Sequence, residues 1–141
     1  MIFLPQYLEE LSPEVTDSES AFYVGEELLA KLPKARDCLE HLSFEEAERY
    51  AKYMEAGQIV FAWMGMVNDP FDRSTKIYTS DYSDGEFVWR DMHIHLVRKY
   101  RMDLPNEFKS HIDSFDGSVE HMKNLDQKEL IKRVRLAQKT I

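Results

Sequence analysis

The chain has 141 residues, 43% of them hydrophobic, which is enough to bury a core within a single domain. Its formal charge of -8 opposes contact with nucleic-acid phosphates and favours basic partners at long range, although acidic surfaces also serve plain solubility. Cys38 is the only cysteine, which excludes an intramolecular disulfide and a cysteine-based zinc centre and matches a reducing cytoplasm.

Residues 1–17 keep no sustained period and read as an acidic, loosely ordered N-terminal arm. Met1–Pro5 lacks the basic segment of a secretory signal. No apolar run approaches the roughly 18–20 residues that span a bilayer, so neither a membrane nor a location outside the cytoplasm is expected. The charge is uneven. Residues 1–30 carry Glu9, Glu10, Glu14, Asp17, Glu19, Glu26 and Glu27 with no Lys or Arg. From Asp17 to Ser20 the chain resembles a helix start, leading to Phe22, Val24, Leu28, Leu29 and Leu32 before Pro33 ends it. Residues 34–42 read as a connector.

Ser43-Phe44-Glu45-Glu46 is a capping box, because the Ser43 hydroxyl and the Glu46 carboxylate can each satisfy the other's backbone N–H. It predicts a helix over Phe44–Ala56 with Phe44, Ala47, Tyr50, Ala51 and Met54 on one face, and Gly57 as a left-handed stop. The run Ile59–Val67 predicts a strand buried on both faces. Three strands are expected, Gln58–Val67, Thr75–Ser80 and Glu86–Trp89, forming an antiparallel meander with turns at Asp69-Pro70 and Asp84-Gly85.

Beyond the meander, Met92, Leu96, Val97 and Tyr100 mark a helix over Asp91–Arg101. Leu104-Pro105-Asn106-Glu107 restarts one, with Phe108, Ile112 and Phe115 on its apolar side. Gly117 interrupts the chain. Asn124–Gln127 opens a basic C-terminal helix over 124–141, with Leu130, Ile131, Val134, Ala137 and Ile141 turned inward. The expected fold is α+β: a small three-stranded antiparallel meander packed by several helices in one domain, 1–141.

Catalytic signals are sparse. His93 and His95 diverge by about 200° on a helix, and neither His111 nor His121 has ligand-spaced partners in sequence. No Gly-x-Ser-x-Gly elbow or glycine-rich phosphate loop occurs. Neither a metal nor a cofactor is expected, and no catalytic residue is assigned. A small metal-binding enzyme using His93, His95 or His111 is the alternative. The basic residues Lys128, Lys132, Arg133, Arg135 and Lys139 spread around their helix without interleaved aromatics, so no nucleic-acid partner is expected.

Acidic and aromatic residues concentrate instead near the turns. Asp69, Asp72, Asp81, Tyr82, Asp84 and Glu86 are the expected partner-binding set, with Glu9, Glu10 and Glu14 as a second. The competing explanation is that turns are polar for backbone reasons.

Ser83-Asp84-Gly85-Glu86-Phe87-Val88-Trp89, Leu96-Val97-Arg98-Lys99-Tyr100, Leu104-Pro105-Asn106-Glu107-Phe108 and His111-Ile112 together resemble a pattern in small bacterial proteins. Some of these are similar to immunity proteins of contact-dependent growth inhibition and related polymorphic toxin systems. The match spans about 30 residues, with Phe87 and Arg90 where Trp and Pro are expected. The resemblance implies a non-catalytic cytoplasmic protein that binds the C-terminal domain of a cognate, basic, nuclease-type toxin. A regulatory or adaptor protein with another partner is the alternative. Stoichiometry and self-association stay open at this level.

Overall fold

In the computed structural model, which describes residues 1–139, the N-terminal segment joins the sheet as an edge strand. Strand β1 (Ile2–Phe3) runs parallel to Phe87–Arg90, with Ile2 N–H donating to Glu86 O at 2.8 Å and Leu4 N–H to Val88 O at 2.9 Å. Leu4 and Tyr7 are buried. A 3-10 turn at Leu8–Glu10 then brings the Glu10 carboxylate to the Arg90 guanidinium at 2.5 and 3.0 Å. The expected loose arm is thus corrected over its first ten residues, which pairing, apolar burial and an ion pair fix in place.

Helices α1 (Pro13–Thr16) and α2 (Glu26–Ala30) belong to an exposed excursion that leaves Phe22, Val24 and Leu28 in solvent. The helix expected from Asp17 is delayed to Glu26 because Gly25 sits at φ 95°, a backbone state that no helix interior accepts.

After a 3-10 turn at Ala35–Cys38 comes α3 (Phe44–Glu55), whose Ser43–Glu46 capping box closes at 3.1 Å in both directions. Ala47, Tyr50, Ala51, Tyr53 and Met54 are buried. Phe44, expected among them, is exposed in the first turn with the Arg101 guanidinium over its ring. Gly57 is also not a left-handed stop. A Cβ there would stand 2.5 Å from Trp89 Cζ2, so what requires glycine is the approach of the Trp89 ring.

Strands β2 (Gln58–Asp69) and β3 (Asp72–Ser83) form a long hairpin joined by Pro70-Phe71, and β3 pairs with β4 (Phe87–Arg90) across the Asp84–Glu86 turn. The order β1-β4-β3-β2 makes a mixed four-stranded sheet. The predicted antiparallel meander is therefore contained within it, with the N-terminal strand added in parallel. β2 and β3 each run past their predicted ends.

Helix α4 (Asp91–Tyr100) leaves β4 directly, followed by α5 (Asn106–Asp113), α6 (Glu120–Lys123) and α7 (Gln127–Lys139). Within the cap-like stretch Asn124–Gln127, Asp126 caps α7, its Oδ1 accepting from Lys128 N–H at 3.0 Å. Leu130 and Val134 are buried as expected; Thr140 and Ile141 lie outside the described residues. The chain is α+β, with seven α-helices among the described residues. None of these is long and apolar enough to cross a membrane.

Alternation along β4 divides the core. Phe87 and Trp89 face Tyr53, Met54, Leu96 and Phe108 on α3, α4 and α5, while Val88 joins Val60, Leu130 and Val134 beneath α7. Trp89 is 1% exposed, and its Nε1–H donates to Met54 O at 3.0 Å. Gly57→Ala should overpack this contact and lower unfolding free energy by about 1–3 kcal/mol, read from the urea midpoint. An unchanged midpoint would show that the ring moves freely.

Candidate functional site

Most of the predicted acidic set holds the fold together. Asp69 is fully buried at the start of the β2–β3 turn. Its Oδ1 accepts from Phe71 N–H at 2.7 Å and Asp72 N–H at 3.1 Å, while Oδ2 meets His95 Nε2 at 2.6 Å and the Tyr100 hydroxyl at 2.8 Å. Burial alone would raise its pKa, but these hydrogen bonds hold the carboxyl below its usual range. Asp84 repeats the design in the β3–β4 turn. It accepts from Glu86 N–H (3.0 Å), Phe87 N–H (2.9 Å), the Tyr53 hydroxyl (2.6 Å) and His111 Nε2 (2.6 Å). There too, bonding outweighs burial and lowers the pKa.

Asp81 and Tyr82 lie within β3, not in a turn; Asp81 is buried and the Tyr82 hydroxyl donates to Asp91 at 2.7 Å. Asp72 accepts from Ser74 and Thr75 and also meets Lys99 Nζ at 3.3 Å, which together hold its carboxyl far below the usual range. Glu86 is exposed. The six therefore form no single surface: the two turns stand at opposite ends of a 12-residue strand, roughly 35 Å apart. In the second set, Glu9 accepts from Ala35 and Arg36 N–H, Glu10 pairs with Arg90, and Glu14 alone is free in solvent on α1.

Four of the five histidines are similarly engaged. His93 is wholly buried: Nδ1 accepts from Arg90 N–H at 3.0 Å, so the proton is on Nε2, 2.8 Å from Pro5 O. Burial, aided by the Arg90 charge, pushes its pKa down to about 3. His95 serves Asp69, His111 serves Asp84, and His121 stacks on Phe115 and meets the Tyr53 hydroxyl at 3.0 Å. Among the described residues no three His, Cys, Asp or Glu side chains gather at metal-holding distances. Burial and the neighbouring Asp103 raise the Cys38 pKa, the opposite of nucleophile activation.

The feature that sequence reasoning missed is β2 itself. Read as buried on both faces, it is an edge strand, the one opposite β1, and Phe61, Trp63, Met64, Met66 and Val67 are all exposed. Trp63 is 58% exposed and Met64 fully so, while Tyr78 across the hairpin is 70% exposed. The Phe61 and Trp63 rings lie 4.2 Å apart. Helix α7 covers only the start of the strand, where Gln127 Nε2 donates to Ile59 O at 2.7 Å. Register shifts lie between Ile59 and Phe61 and between Ala62 and Met66, where Gly65 takes φ 105°. Bulges of this kind twist an edge, but charge is the stronger guard, and none occurs from Gln58 to Asn68. That uncharged stretch was the available signal.

Comparison of the chain with models of protein families, with curated proteins and with solved structures yields no match.

The buried side chains set a pH dependence. Below its ordinary value of 6.5 His93 takes up a proton when unfolded, and when folded it does so only near 3, so stability falls as pH drops through this window. Asp69 and Asp84, depressed below the ordinary 3.8, contribute fully above that value and lose their contribution as pH falls through their lower folded values. The urea midpoint is expected to fall from pH 6.5 to 4.5. His93→Gln should flatten that segment and keep the steeper acid loss; a wild-type slope in the variant would assign the effect elsewhere.

Proposed function

We propose that this chain is a non-catalytic binding protein of the immunity type implied by its motif resemblance. In this reading it acts in the cytoplasm, neutralises a cognate basic toxin by stoichiometric complex formation, and docks it on the β2–β3 hairpin. The observation that carries the reading is an uncharged edge strand with two aromatic and two methionine side chains in solvent. Such an edge endangers a chain that must stay alone, because its unpaired backbone and apolar side chains invite another strand. In a binding protein the same features supply main-chain hydrogen bonds, with rings and flexible thioethers as anchors.

The acidic residues keep a role in this reading, though a different one. With Asp69, Asp81 and Asp84 internal, the outward charge comes from exposed carboxylates elsewhere, among them Glu14, Asp17, Glu19, Glu26, Glu27 and Glu86. A field of this sign steers a basic partner toward the surface and weakens with salt. Covering a nuclease's cationic site would block its nucleic-acid substrate without any chemistry by this chain.

The test begins with the complex isolated from native cells and re-formed from pure components. A one-to-one complex is expected, with a partner that arrests growth when produced alone and is silenced by this chain. Met64→Lys, at a fully exposed position, should weaken the complex by about tenfold or more at an unchanged unfolding midpoint. Full affinity in this variant would move the interface off the hairpin. A partner that never arrests growth would replace the immunity role with that of an adaptor.

A further inference from the structure

Between the hairpin and the N-terminal segment lies a cleft of about 350 Å³, lined in part by Gln6, Glu10, Trp63, Tyr78, Asp81 and Arg90. Its charges do not balance. Arg90 directs its guanidinium to Glu10 at 2.5 and 3.0 Å and to Pro5 O at 3.4 Å. Asp81, only 8% exposed, has the Trp63 side chain as a hydrogen-bond partner and feels Arg90 only at longer range. Asp91 adds a further carboxylate nearby, engaged with Ser80 N–H and the Tyr82 hydroxyl. His93, beside Arg90, is neutral. Within the cleft two carboxylates, Glu10 and Asp81, thus share one guanidinium.

Burial pushes the Asp81 pKa up, with Asp91 adding to the shift and Arg90 opposing it, which is the signature of a carboxylate short of a cation. The walls suit one cation better than another. Trp63 and Tyr78 offer aromatic surface, on which a planar, weakly hydrated guanidinium stacks more favourably than a compact, strongly hydrated ammonium. Trp63 and Val67 come from β2 itself, so the cleft opens beside the exposed edge. A strand added there would turn alternate side chains toward it.

We propose that this cleft is a specificity pocket for an arginine side chain of the docked partner, held by Asp81 between Trp63 and Tyr78. The inference rests on the binding role proposed above and names the chemistry that the hairpin reads. The acidic field recruits basic partners in general; the cleft selects one whose docked strand carries arginine at the matching position.

The test uses the intact protein and two small probes, N-acetyl-arginine amide and its neutral citrulline counterpart, with the Trp63 indole signal followed by NMR. Saturable binding of the arginine probe is expected, at least about tenfold weaker for citrulline, as loss of a charge-assisted contact predicts. Asp81→Asn should reduce arginine binding to the citrulline level. Tyr78→Ala, at an exposed position, should weaken it several-fold and serves if the first variant fails to fold. Equal binding of both probes, or no saturable shift, would overturn the pocket while leaving the hairpin result with Met64→Lys untouched. Conversely, arginine binding alongside a full-affinity Met64→Lys complex would separate the pocket from the partner and overturn its role in docking. A protein that sediments as a dimer, and as a monomer after Asp81→Asn, would put one of its own basic side chains in the cleft.

Discussion

The packing of Trp89 against Gly57 is the constraint from which the rest of the architecture follows. Strand β4 is interior to the sheet, and the Trp89 indole both fills the core and ties its N–H to Met54 O at the end of α3. Phe108 on α5 and Tyr53 on α3 pack around the same ring. Because the ring occupies the space where a Cβ of residue 57 would stand, the link from α3, which ends at Glu55, to β2, which begins at Gln58, has to pass through glycine. The direction in which the long hairpin leaves the body is therefore set by an aromatic contact well away from its tip.

Two buried carboxylates then shape the hairpin's ends. Asp69 and Asp84 each accept two backbone N–H groups of their own turn, and each also receives a histidine and a tyrosine from helices packed alongside. A neutral residue could form the turn but could not satisfy those donors as strongly, since bonds to an ionised carboxylate are about twice as strong as neutral ones. A buried charge is tolerable only when fully bonded, and these two are. This explains how so acidic a chain can hold carboxylates at its core.

The remaining tension is at the sheet's outer edge. The face of β4 and β3 that meets α3, α4 and α5 is closed, and α7 closes the start of the other face. Past Val60, however, β2 has no further strand on its outer side among the described residues, and Phe61, Trp63, Met64 and Met66 stay exposed. Apolar side chains left in water contribute little to folding, so Phe61, Trp63, Met64 and Met66 are better accounted for by what they meet than by what they stabilise. The proposed partner strand and its arginine would complete the sheet and balance the charge in one step.

What the sequence determined by itself is what depends on near neighbours: the Ser43–Glu46 capping box, the turn at Asp84-Gly85, the helical stripe of Met92, Leu96 and Val97, and the inward face of Leu130 and Val134. These are set by hydrogen bonds or periodicities that span a few residues. What only the tertiary structure decided depends on partners far along the chain. Ile2–Phe3 became a strand because Phe87–Arg90 had a free edge. Asp69 and Asp84 became internal because His95, Tyr100, His111 and Tyr53 arrive from other helices. β2 kept its apolar side chains in water because strand order, which no local pattern encodes, placed it at the edge. An unbroken apolar run reads alike whether another element covers it or a partner must, since hydrophobicity records the need for burial and not its source.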